Sequence, residues 1–150
     1  MKKILISCLL AAVTFSANAN TQKNNLTREE KIVAITFLAE ARGEGKAGMY
    51  AVAACIAQRS LERKKSPTQV CLQKWQFSCW NGKKLKDLEH LLKVPQAKYA
   101  ASLAKHLKSL SRDYIGYANH YHATWMKKKT YWTKGKKPVK VIGQHAFYKL

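Results

Sequence analysis

A mostly helical α+β domain with a small β element near the C-terminus is what this chain predicts, on three observations. Apolar residues recur at helical spacing over much of residues 28–110, and the runs carry their own start and stop signals. From Tyr117 the pattern changes to polar aromatics and short β-branched runs around a Lys/Gly/Pro segment. No internal repeat or low-complexity tract intervenes, so residues 26–150 form one domain large enough to bury a real core.

Thr27, with Glu30 three positions on, makes a capping-box pattern and starts a helix at Arg28. At about 100° per residue, Glu40 falls among Ile32, Val33, Thr36 and Phe37, on the apolar stripe. Gly43 and Gly45 break that run. Gly45-Lys46-Ala47-Gly48 then restarts a helix through Ala51, Val52, Cys55 and Ile56 toward Leu61, with small residues that permit close packing. Ser66-Pro67 supplies an N-cap and a proline at the first helical position for a short helix over 68–74. Residues 75–82 are too aromatic for a casual loop and close on an Asn-Gly turn, which makes them a candidate wall of a site. A weaker helix covers 85–92, and Pro95 opens one through Tyr99, Leu103 and Leu107 to Leu110. Tyr131-Trp132 and Val139–Ile142 are expected as short strands joined by a turn.

Residues 1–19 have the form of a secretory signal: Lys2 and Lys3, an apolar run from Ile4 to Val13, and Ala17-Asn18-Ala19 as a small-x-small cleavage site. The run is shorter than the ~20 apolar residues of a membrane span, and no later segment is apolar enough to serve as a stable membrane anchor. Cys8 comes too early for a lipoprotein-type cleavage. A short polar linker, 20–25, leads into the domain. The expectation is therefore an exported protein, periplasmic or secreted. Removing Lys2 and Lys3 takes the formal charge from +20 to +18, which implies a polyanionic partner. Export argues against nucleic acid and for envelope polymers or anionic membrane surfaces. The blocks Lys127–Lys129 and Lys134–Lys137 are either solvated loop faces or adhesive ones.

Three cysteines follow the signal. Cys55 lies in an Ala-rich helical run, where a small buried thiol is expected. Cys71 and Cys79 are close in sequence and, in an oxidising compartment, are the expected disulfide. No paired-CxxC zinc site is available.

Among the acids, Glu29 and Glu30 cap a helix, while Glu62, Asp87, Glu89 and Asp113 have polar or basic surroundings. Glu40 is different. A carboxyl at a helix C-terminus on an apolar face has its pKa raised by desolvation and by the negative end of the helix dipole, as a general acid requires. The alternative is an ordinary ion pair with Arg42 or Arg59. Glu44, between two glycines, suits backbone binding or substrate positioning better than acid catalysis. His90 and His106 belong to lysine-rich helical surfaces. His120-x-His122 brings two rings to one face of a strand, where His145 can complete a metal site or a hydrogen-bonding cleft. That metal signal is weak, and HExxH, GxSxG, phosphate-loop and dinucleotide motifs are lacking.

Four blocks in order, residues 39–45 (Ala-Glu-Ala-Arg-Gly-Glu-Gly), 76–80 (Gln-Phe-Ser-Cys-Trp), 118–123 (Ala-Asn-His-Tyr-His-Ala) and 142–148 (Ile-Gly-Gln-His-Ala-Phe-Tyr), give the chain a resemblance to the SleB-type cell-wall hydrolase family, which includes spore cortex-lytic enzymes. The resemblance implies a fold related to lysozyme-like lytic transglycosylases, action on peptidoglycan, no cofactor, and a catalytic glutamate at the position of Glu40. Unlike the spore enzymes, this chain is short, very basic and carries no separate peptidoglycan-binding domain, so binding is expected to rest on charge.

The resulting expectation is a glycosidase, a muramidase or lytic transglycosylase, cleaving the β-1,4 bond between N-acetylmuramic acid and N-acetylglucosamine in peptidoglycan glycan strands. Glu40 is its acid. Trp75, Phe77 and Trp80 are candidates to stack on sugar faces, and Glu44, Asn119, His120, Tyr121, His145 and Tyr148 to bind polar groups. The rivals are a zinc-dependent N-acetylmuramoyl-L-alanine amidase using His120, His122 or His145, and a non-enzymatic cationic envelope-binding protein.

Overall fold

The computed structural model describes residues 25–126 and 130–150. The signal segment, most of the polar linker and Lys127–Lys129 lie outside the described residues. Helix α1, Arg28–Ala41, opens on the expected capping box: Thr27 Oγ1 accepts from Glu30 N–H at 3.1 Å and Glu30 Oε2 accepts from Thr27 N–H at 2.8 Å. Every residue from Ile32 to Leu38 is buried, so α1 is a central helix and not a surface one.

A 3-10 turn, Arg42–Glu44, leads into α2, Gly45–Arg63, where Gly45 takes φ +68°, a conformation that favours glycine. Nine consecutive residues of α2, Ala51–Arg59, are buried because the helix has packing on two sides. One side joins α1, the short α3 (Pro67–Leu72) and α5 (Ala97–Lys105) in the main core around Phe37, Leu38, Met49, Ile56 and Val70. The other carries Ala51, Ala54 and Cys55 against Ile115, Ile142 and Phe147. Small side chains on α2 let both layers approach closely.

The sheet has three antiparallel strands, β1 (His120–Ala123), β2 (Lys140–Ile142) and β3 (His145–Tyr148), in the order β1-β3-β2. Its register pairs His120 with Tyr148, Tyr121 with Phe147 and Ala123 with His145. Tyr121, His145 and Phe147 therefore share the face toward α2, and His120, His122 and Tyr148 share the outer face. Among the described residues no helix is long and apolar enough to cross a membrane.

The molecule is mostly helical with a small antiparallel sheet near the C-terminus, as expected. Several details differ. Residues 131–133 form a 3-10 turn, not a strand: Thr133 N–H and Thr133 Oγ1 both donate to Thr130 O, and Trp132 is covered by ring contacts with the sheet's outer face instead of by strand pairing. The helix after Pro95 begins at Ala97 and stops at Lys105, followed by a 3-10 turn at Leu107–Ser109. The weak helix at 85–92 divides into α4, Leu85–Leu88, and a 3-10 segment, Glu89–Lys93.

The Cys71–Cys79 disulfide is also corrected. Cys55, Cys71 and Cys79 are all free. The Cys71 thiol is buried in the core, hydrogen bonded to Thr36, while Cys79 lies half-buried in the 3-10 turn Ser78–Trp80. Burial pushes both thiols up to about 12, which suppresses the thiolate that disulfide formation needs. Cys55 is the buried free thiol that its Ala-rich helix suggested.

Candidate active site

Glu40 sits in the last turn of α1, half-buried, where the helix turns the corner into α2. Neither arginine considered as its partner forms an ion pair with it. Arg42 donates from Nη1 to Leu38 O at 3.0 Å, and Arg59 donates from Nε to Asn119 O. The direct partner of the carboxylate is Tyr121, whose hydroxyl donates to Glu40 Oε2 at 2.8 Å across 81 residues of chain. The strand register puts Tyr121 on the inner sheet face with His145 and Phe147, which brace its ring at 5.0 and 5.5 Å between centroids.

Three influences act on the Glu40 proton. Desolvation raises its pKa and is the largest; the Tyr121 hydrogen bond and the Arg59 charge lower it, and the net shift is upward. Tyr121 itself is pushed well above the usual phenol range, chiefly by burial and by Glu40, so it serves as a neutral donor. Arg59 is buried, with its guanidinium carbon 5.6 Å from the Phe77 ring centroid and 5.9 Å from that of Tyr121.

The upward shift carries a stability consequence. A carboxyl whose folded pKa is raised favours the fold in acid, below its ordinary pKa, and that contribution is lost as pH rises through the folded value. Glu40→Gln is therefore expected to melt at a higher temperature than the parent at pH 8, with the difference vanishing below about pH 4. Thermal melts across pH check this, and a difference that grows toward acid would contradict it.

The second carboxylate is engaged elsewhere. Glu44 Oε2 accepts from the backbone N–H of Gln144 at 2.7 Å, in the turn between β2 and β3. It rests over Gly143, where a Cβ would lie 1.8 Å from that oxygen. Glu44 thus latches the hairpin to the start of α2. His145 follows the turn, buried, and its Nδ1 has no hydrogen-bond partner among the described residues. Desolvation lowers the His145 pKa and the Glu44 charge opposes that shift, so the ring is held toward its neutral form beside Tyr121.

The aromatic segment contributes a wall beside Glu40. Trp80 Nε1 donates to Thr36 Oγ1 at 2.9 Å, one helical turn before Glu40. Trp75, at φ +65° and exposed, lines with Trp80 and Phe77 a hollow of about 250 Å³. Phe77 is itself buried beneath Arg59, so it supports this wall from below.

The remaining candidates lie apart from Glu40. Asn119 is buried, with Nδ2 donating to Glu62 Oε2 and Leu150 O, each at 2.9 Å, while its Oδ1 accepts from Leu150 N–H and meets His120 Nδ1. It ties the C-terminus to α2 and has no bonding capacity left over. His120 and Tyr148 are on the outer sheet face, and burial with the Arg59 and Arg63 charges lowers His120 to about 4. His122 bonds Ala123 O and the Tyr148 hydroxyl through its two ring nitrogens. The three histidines therefore do not converge, and among the described residues no three His, Cys, Asp or Glu side chains are grouped to hold a metal.

Sequence reasoning placed Arg59 only as an ion-pair partner and did not find the Trp80–Thr36 contact. Its available signals were an arginine among the small buried positions of a helix and a threonine one turn before the candidate acid. A family profile described as Cell Wall Hydrolase matches residues 43–148, beginning three residues after Glu40. No curated protein and no solved structure matches the chain.

Proposed function

Because the chain belongs to the cell wall hydrolase family and is a hydrolytic enzyme, we propose that it is an exported glycosidase that cleaves the β-1,4 bond between N-acetylmuramic acid and N-acetylglucosamine, with Glu40 as its one acid and base. The observation that carries this reading is a half-buried carboxyl, protonated more readily than usual, held by a neutral tyrosine and, among the described residues, by no ion pair. In its acid form Glu40 protonates the bridging oxygen as the bond from that oxygen to muramic C1 breaks, leaving positive charge on the sugar. The resulting carboxylate receives the Tyr121 hydrogen bond and the field of Arg59, both of which favour the ionised state at that stage.

Glu40 then takes back one proton. Removed from the muramic 6-hydroxyl, it lets that oxygen close on C1 and gives a 1,6-anhydro product; removed from water, it gives a reducing end. With Glu44 committed to the β2–β3 turn, the single-acid route to the anhydro product is favoured. Trp75 and Trp80 stack on sugar faces, while His145, its Nδ1 closed off from solvent, braces the Tyr121 ring that holds Glu40. Glu44 and Phe77 hold this surface in place, while Asn119, His120 and Tyr148 support the sheet and the chain end away from it. The charge of +18 on residues 20–150 draws the enzyme to anionic envelope polymers.

Mass spectrometry of purified sacculi after digestion is the test. Disaccharide-peptides with anhydromuramic or reducing muramic ends are expected, in yields that chelators leave unchanged. Free stem peptides with intact glycan strands, abolished by chelation, would instead identify an amidase.

A further inference from the structure

A hollow of about 550 Å³ opens at the end of α2 remote from Glu40. At about 1.5 Å per residue, Ser60 on its rim lies roughly 22 Å along the helix from Gly45, the corner just beyond the candidate acid. Lys64, Lys65, Lys108 and Arg112 line this hollow, and no acidic residue does. Glu62, close by in sequence, is taken up by Gln58 and Asn119 at 2.8 and 2.9 Å, and Asp113 lines a separate hollow with Lys46 and Tyr50. Among the described residues none of the four cations has an ion-pair partner.

Lys64 and Lys65 alone are ordinary company for a helix C-terminus. Lys108 and Arg112 are not, since they arrive from a separate segment and bring like charge to the same hollow. The backbone adds a second sign. Lys64 is the left-handed C-cap of α2, at φ +51°, where glycine ends a helix with less strain. A lysine kept there places a cation on the rim at a cost in backbone energy. Its turn is fixed, because Lys64 N–H donates to Leu61 O, Lys65 N–H to Ser60 O, and Ser60 Oγ to Lys65 O. Between the charges the walls are apolar, formed by Ala57, Leu61, Pro67 and Leu107.

We propose that this hollow binds a short anionic peptide, with Arg112 and the lysines on its carboxylates and Leu61, Pro67 and Leu107 against its small apolar side chains. The choice of peptide rests on the substrate proposed above: the stem peptides of peptidoglycan carry alanine methyls and free carboxylates along one short chain. A polyol phosphate chain satisfies the cations and leaves the apolar walls in water, whereas such a peptide covers both. Arg112 supplies a planar fork that meets a carboxylate through two parallel bonds. Gripping a stem peptide this far from the cut holds the enzyme on its strand.

Titration calorimetry of the full chain with N-acetylated L-Ala-γ-D-Glu-diaminopimelyl-D-Ala is the test. It reads binding without turnover, so it fails separately from the cleavage chemistry. The parent is expected to bind with a Kd on the order of 0.1 mM, and Lys108→Gln/Arg112→Gln to weaken binding at least roughly ten-fold. Lys64→Gly is expected to bind more weakly too, yet to melt at or above the parental temperature, a pairing of signs that a merely structural lysine does not give. Cleavage of glycan strands freed of peptide is expected to stay at the parental rate in these variants. The proposal is overturned if the parent ignores the peptide, if the variants bind it as the parent does, or if amidating its carboxylates leaves binding unchanged. It is overturned equally if tripolyphosphate binds more tightly than the peptide and loses affinity in the same variants, which would mark a phosphate-chain site.

Discussion

Glu40→Gln is expected to lower glycan cleavage by at least roughly 100- to 10,000-fold, the range a positioned general acid and base contributes, with binding to sacculi kept. Glutamine preserves the length of the side chain and can still accept the Tyr121 hydrogen bond through its amide oxygen, so the wall around it stays in place. What it lacks is a proton to give to the leaving oxygen and a carboxylate to take one back. Release of soluble muropeptides, measured beside pull-down on sacculi, separates the two effects. Cleavage that survives the change would move the chemistry to another group; lost binding would mean that the site had collapsed. Because burial raises the Glu40 pKa, the parent's kcat/KM should fall as pH rises through that value.

Gly143→Ala is expected to be the most damaging small substitution, lowering stability by about 2 to 4 kcal/mol and the melting temperature by roughly 10 °C. Two costs combine. Residue 143 holds φ +55°, which alanine adopts poorly, and its new methyl would lie 1.8 Å from Glu44 Oε2. The carboxylate must swing away and give up the 2.7 Å bond from Gln144 N–H, which unlatches the hairpin carrying His145. Glu44→Ala loses the same bond by a different route. The double variant should therefore be more stable than the sum of the single losses implies, since the bond can be lost only once and the clash disappears with the carboxylate. Thermal melts of the four proteins close this cycle, and strict additivity would show that Glu44 and Gly143 act independently.

Relations within a few residues were legible without a structure. Thr27 with Glu30 announces the start of α1, Gly45 its replacement by a new helix, and the 3.6-residue period places Glu40 on the buried side. The Cys71–Cys79 bridge failed for the opposite reason: a short separation in sequence carries no information about where two thiols point. Burial of β3 was hidden as well, because His145-Ala146-Phe147-Tyr148 alternates in no simple apolar-polar manner although all four side chains are buried.

By itself the sequence determined the helical class, the identity of the candidate acid and the basic character of the surface, since each is a matter of local period, local capping or composition. Only the tertiary structure decided what that acid touches. Tyr121 reaches Glu40 across 81 residues, Gln144 reaches Glu44 across 100, and Trp80 reaches Thr36 across 44. Which histidines share a face was settled the same way. His120 and His122 follow from alternation along one strand, but the placement of His145 opposite Ala123 depends on antiparallel register, and a shift of one residue would send it to the outer face. That register is set by Phe147 packing on α2 and by Glu44 on the β2–β3 turn, contacts that come into being only when distant segments fold together.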